Sequence, residues 1–146
     1  MNKTPVIRAH QKSDTSVVIE LAIHTAFDRN KLPSIDPLKK AYHNGDSILF
    51  TSDTRLLTLL PRTVDTLKFK VLTRQHIMEL VSTENDLKKV PNYLNIRTFE
   101  KNASGYYLSL QSLSAIGFGA GGQIGIYIEK RNDSLIVTKT VSSNIN

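Results

Sequence analysis

The chain has 146 residues and no cysteine, and its nineteen Lys and Arg against thirteen Asp and Glu give a formal charge of +6. That length suits one domain with one core. The absence of thiols excludes a disulfide framework, thiol catalysis, iron–sulfur clusters and thiolate zinc sites. The basic residues are spread, with eight against six acidic in residues 1–60 and eleven against seven in residues 61–146, and no basic run exceeds a pair. The excess therefore reads as a solvated, mildly basic surface, and nucleic-acid binding is disfavoured.

Residues 1–12 form a polar arm, and 13–146 are read as a single α+β domain. The arm has no hydrophobic leader core, so the sequence as it stands predicts a cytoplasmic protein unless a leader has been cut away. No apolar stretch approaches the ~20 residues that span a bilayer, and no membrane span is expected.

Ser13, Asp14 and Ser16 offer capping side chains for a helix running to about Asn30, with Val18, Leu21, Ala22, Ile23, Ala26 and Phe27 as its apolar face. Pro33 prevents its continuation. Residues 31–46 hold two prolines and Asn44-Gly45, which predicts a connection with a helical turn near Pro37–His43. Ser47–Ser52 reads as a short strand, and residues 53–66 as an irregular packed connection. Leu67, Phe69 and Val71 alternate with Lys68 and Lys70, the period of a half-buried strand. Thr73 can cap a second helix through about Glu84, with Ile77, Leu80 and Val81 facing inward, and Pro91 closes the next turn.

The last third contains alternating runs at Tyr93–Lys101, Tyr106–Ile116, Gln123–Arg131 and Ser134–Val141, separated by turn signals at Asn102–Gly105, in the glycine-rich segment 117–122 and at Asn132-Asp133. This predicts an antiparallel meander. By parity, one face carries Leu94, Ile96, Leu108, Leu110, Ile124, Ile126, Ile128, Leu135, Val137 and Val141, and is the core face. The other carries Tyr93, Asn95, Arg97, Phe99, Tyr107, Ser109, Gln111, Gln123, Tyr127, Glu129, Thr138 and Thr140. A sheet with one aliphatic face must be covered, and the first helix is the obvious cover. The expected architecture is α+β, in two layers: the N-terminal helix packed on one face of a curved antiparallel sheet whose last four strands form the meander, with the helices segregated to one side.

Gly117-Phe-Gly119-Ala-Gly-Gly122 matches the dinucleotide fingerprint by letter. That motif needs a helix after it, however, and Gln123-Ile-Gly-Ile-Tyr-Ile-Glu alternates as a strand. Glu20, His24 and Asp28 recur at helical spacing, which would set an imidazole between two carboxylates on a stripe that meets water. No metal-ligand spacing, serine-nucleophile elbow, P-loop or paired-carboxylate motif occurs, so no catalytic residue, metal or cofactor is predicted. The candidate binding residues are Tyr93, Arg97, Tyr107, Gln111 and Tyr127, which place rings and polar groups on the outer sheet face.

The runs Gly119-Ala-Gly-Gly-Gln-Ile-Gly-Ile-Tyr-Ile-Glu-Lys, Asp133-Ser-Leu-Ile-Val and Val141-Ser-Ser-Asn-Ile145, with Tyr93-Leu-Asn-Ile, give the chain a resemblance to small bacterial proteins whose helix-then-meander plan is similar to the cystatin-like/NTF2-like α+β fold. The resemblance spans about residues 15–145. It departs at Leu135 and Asn144, where such proteins often carry tryptophan, a residue this chain lacks. The resemblance implies either a pocket between helix and sheet, sometimes with an Asp/His pair, or a non-catalytic domain that dimerises through its sheet. The parity of the meander gives the helix side an aliphatic lining. The expected function is therefore a non-catalytic binding or protein-interaction domain, with homodimerisation through the outer face as one form. The alternative is an NTF2-like small-molecule-binding protein or enzyme with a pocket between helix and sheet.

Overall fold

The computed structural model describes residues 13–28, 31–33, 35, 36, 38, 47–83, 92–114 and 121–145. Of the helical turn expected near Pro37–His43 only Leu38, which is helical and buried, lies among them, and the first four residues of the glycine-rich segment and the N-terminal arm lie outside.

Helix α1 (Asp14–Phe27) starts where the sequence offers a cap, the Ser13 hydroxyl accepting the Ser16 N–H at 3.2 Å, and ends before Asp28, short of the expected Asn30. Its buried residues, Val18, Ile19, Ala22, Ile23, Ala26 and Phe27, form one stripe. Strand β1 (Ile48–Thr51) follows, then a 3₁₀ turn (Leu57–Leu59) and the hairpin β2 (Thr63–Val64) and β3 (Leu67–Val71). Helix α2 (Arg74–Thr83) leads to the four strands of the meander. These are β4 (Tyr93–Lys101), β5 (Gly105–Leu113), β6 (Gly121–Arg131) and β7 (Ser134–Ile145).

The strands form one seven-stranded sheet in the order β2-β3-β1-β4-β5-β6-β7. The meander is antiparallel as expected, but β1 lies parallel to both β3 and β4, so the sheet as a whole is mixed. Because β3 and β4 flank β1, the chain crosses over β1 between them, and α2 is that crossover. Alternation along β1 explains which side it takes. Ile48 and Phe50 join the main core under α1, while Leu49 packs with Leu72, Ile77 and Tyr93 in a separate cluster. Helix α2 thus covers the face opposite α1, which corrects the expectation of helices on one side. Thr73 caps α2 by accepting the His76 N–H at 3.0 Å, and Ile77 is its buried anchor, whereas Leu80 is exposed.

The main core joins the α1 stripe to Phe50, Phe69, Leu94, Ile96, Leu108, Leu110, Ile124, Ile126 and Ile128. Phe69 meets Phe50 and Phe27 with ring centroids 5.3 and 6.4 Å apart. Two bulges modify the parity read from sequence. In β4, Ile96 faces Leu110 and Thr98 faces Ser109, so Arg97 is the extra residue and everything after it changes face. Phe99 consequently sits opposite Leu108, packs on the core and meets Tyr106 at 5.9 Å, rather than lying on the outer face. In β7 the extra residue is Thr138, between Val137 facing Ile128 and Lys139 facing Tyr127. Leu135 and Val137 stay with the core, but Lys139 and Val141 are carried to the outer face and Thr140 to the core side.

After Gly122 the chain continues as strand β6, so the dinucleotide fingerprint lacks the helix it requires. At the opposite end of the core, Asp14 accepts from Lys130 Nζ at 2.9 Å and from the Tyr106 hydroxyl at 3.5 Å, which ties the start of α1 to the meander.

Candidate functional surface

Register lines the outer face of the sheet in rows that run across the strands. One row is Leu49, Tyr93, Leu113, Gly121 and Ile145; the next is Thr51, Asn95, Gln111, Gln123 and Ser143. Beyond the Arg97 bulge come Thr98, Ser109, Gly125 and Val141, and then Glu100, Tyr107, Tyr127 and Lys139. Helix α2 roofs the β1–β4 end of the first two rows, and the last two extend to the edge strand β7.

The five residues predicted from sequence fall into two groups. Tyr93 is half-buried beneath α2 beside Leu49 and Ile77, and burial pushes its phenol pKa upward while the nearby Arg74 charge opposes the shift. Gln111 is buried in a chain of side-chain amides: Arg74 donates to Asn95 Oδ1 at 3.1 Å, Asn95 Nδ2 to Gln111 Oε1 at 2.9 Å, and Gln111 Nε2 to Gln123 Oε1 at 3.0 Å. An amide whose donor and acceptor are both used is well placed in a low-dielectric setting, and this ladder fixes the register of three strands. Tyr93 and Gln111 are therefore structural members of a covered region.

Tyr107, Tyr127 and Arg97 belong to the open part. The Tyr107 and Tyr127 rings lie 4.7 Å apart at 46°, a cross-strand aromatic pair, and Lys139 Nζ stands 5.6 Å above the Tyr127 ring. Burial pushes the Tyr107 phenol pKa up, Tyr127 and Glu100 add to this, and Arg97 works against it. The Tyr107 ring also roofs Gly125, where an added Cβ would sit 2.8 Å from its hydroxyl oxygen. Tyr127 is 41% exposed and Val141 49%, with Ile136 also exposed nearby on the same edge strand. Lys139 and Val141 were hidden from sequence parity by the Thr138 bulge.

A second cluster lies on the α1 side. His24 Nδ1 is 2.7 Å from Asp65 Oδ2, so the imidazole is held by a residue 41 positions away in the β2–β3 turn, not fixed solely by the helical stripe of Glu20 and Asp28. The Asp65 hydrogen bond chiefly raises the His24 pKa, partial burial opposes it, and Asp28 adds a smaller favourable charge. Val17, Glu20, Leu21, His24, Val64 and Asp65 line an open groove of about 400 Å³. Asp65 adopts a left-handed φ of 54°, a conformation uncommon outside glycine that Asp tolerates better than most residues. Among the described residues, no group of three or more His, Asp or Glu is arranged to hold a metal ion, and no helix is long and apolar enough to cross a membrane.

These features define an α+β protein built on a mixed sheet, with α1 on one face, a crossover helix on part of the other, and an aromatic patch beside an edge strand. Comparison with family models, curated proteins and solved structures returned no match.

Proposed function

We propose that the chain is a non-catalytic protein-interaction domain that works through the open part of its outer sheet face, with a second copy of itself as the first partner to test. The observation that carries this reading is the pairing of exposed Tyr127, Ile136 and Val141 with a twelve-residue edge strand, β7, which among the described residues pairs only with β6. An edge strand offers backbone donors and acceptors to an incoming strand, and adjacent rings and aliphatic side chains supply burial at low entropic cost. Lys139 and the Thr138 bulge interrupt the edge, which disfavours indiscriminate strand pairing. The resemblance to cystatin-like/NTF2-like domains that dimerise through their sheets agrees with this reading. The pocket alternative is weighed down by the buried Phe27, Leu108 and Ile126, which occupy the main core between α1 and the meander.

The test is sedimentation of a Tyr127→Ser, Val141→Ser double variant, which leaves Tyr107 in place over Gly125. Truncating anchors at an interface centre costs about 2 kcal/mol or more, so the dimer constant should weaken at least about tenfold with an unchanged far-ultraviolet spectrum. A wild type that stays monomeric at high concentration, or a variant that associates equally well, refutes self-association.

A further inference from the structure

The start of the β3–α2–β4 crossover brings together a guanidinium, the first N–H groups of a helix and a buried hydroxyl without a partner. The Leu72 N–H donates to Phe50 O at 3.0 Å, which sets the end of β3 beside the end of β1. Thr51 therefore lies next to Leu72, two residues before Arg74 opens α2. The Arg74 guanidinium reaches across β1 to Asn95 Oδ1 at 3.1 Å and Ile96 O at 3.5 Å on β4. Thr51 pairs with Asn95 and shares its face, so the guanidinium spans the row in which the Thr51 hydroxyl sits. That hydroxyl is completely buried and has no hydrogen-bond partner, and the same is true of Ser52 at 2% exposure.

The helix adds donors of its own. Thr73 Oγ1 accepts the His76 N–H and Thr73 O the Ile77 N–H, which leaves the N–H groups of Arg74 and Gln75 without an intrahelical acceptor at the positive end of a ten-residue helix. The nearest carboxylate in sequence, Asp53, is already engaged by the Arg55 side chain and N–H, both at 3.0 Å. A cation would meet a positive environment here, and an apolar group would leave the Thr51 hydroxyl unpaired. The place in the fold agrees. The connection leaving β1 runs through Leu56, Leu60 and Val64 into the main core, while that leaving β3 runs over the opposite face, so the ends of these parallel strands form a switch point of the kind that accepts ligands in α/β sheets.

We propose that this crossover start binds a small oxyanion of the phosphate class, held by the Arg74 guanidinium, the first N–H groups of α2 and the Thr51 hydroxyl. The site is separate from the Tyr127 patch and stands without it. The test titrates ¹⁵N-labelled full-length chain with inorganic phosphate, with phosphoserine, and with chloride at matched ionic strength. Saturable amide shifts centred on Thr51, Ser52, Arg74 and Gln75 are expected with the phosphates and not with chloride. Tighter binding of phosphoserine identifies a phosphate ester as the ligand class, and tighter binding of inorganic phosphate the free ion. Arg74→Gln and Thr51→Val should each weaken binding about tenfold, the scale of one hydrogen bond to a charged group. No saturable shift at these residues, shifts reproduced by chloride, or either folded variant binding phosphate as tightly as the wild type overturns the site.

Discussion

His24 shows how a single contact sets a pH dependence. Its hydrogen bond to Asp65 raises the imidazole pKa above the ordinary 6.5, so the protonated form is favoured in the fold. A raised folded-state pKa gives stability that is fully present below 6.5 and is lost as pH rises through the folded value. His24→Gln should therefore lower the melting temperature more at about pH 5.5 than at about pH 8.5, by a few degrees at most, because an exposed pair contributes only about 0–1 kcal/mol. Equal losses at both pH values would show that the contact is packing alone. Asp14 runs the other way. The Lys130 hydrogen bond holds its carboxyl below the usual 3.8, so that contribution is present above 3.8 and disappears as pH falls through the folded value. The partner of His24 was not legible in the sequence, because Asp65 lies in a segment whose pattern specifies no element and meets α1 only through the fold.

At the scale of elements, the meander was readable because β5 and β6 alternate without interruption, and this is why Tyr107 and Tyr127 were correctly placed on one face. The bulges were not readable. Neither Arg97 nor Thr138 carries a mark that distinguishes an inserted residue from an ordinary one, yet each reverses the faces of the residues after it. The side taken by α2 was also hidden, since the only strongly buried residue among its described side chains is Ile77, and one anchor gives no direction. Deleting Arg97 tests the β4 bulge directly. Strict alternation would turn Phe99 away from Leu108 and Tyr106, and the loss of a partly buried ring should cost about 1–3 kcal/mol in urea denaturation, below the 3–5 typical of a fully buried one. A deletion with unchanged stability would mean that the face of Phe99 is indifferent to the fold.

At the scale of the molecule, the described residues form two apolar clusters of unequal reach. The larger, under α1, draws on every strand, whereas the smaller holds α2 through Leu49, Leu72 and Ile77. Ile23→Ala in the first should cost about 2–5 kcal/mol in a global transition. Ile77→Ala should instead raise amide exchange in α2 before it moves exchange in β5 and β6, because the crossover can open while the main core persists. Exchange that accelerates together in all elements would show a single cooperative unit.

The stretch after α1 is clamped by the far end of the chain. The Ser142 hydroxyl donates to Lys31 O at 2.7 Å, and Pro33 lies so close over β6 that a methyl group at Gly122 would fall 1.9 Å from its carbonyl oxygen. During vectorial synthesis, then, the turn that trails α1 has no seat until β6 and β7 have left the ribosome. The apolar stripe of α1 meets part of its cover earlier, through Phe69 on β3, but stays partly bare, or shielded by a chaperone, until β5 and β6 complete the core.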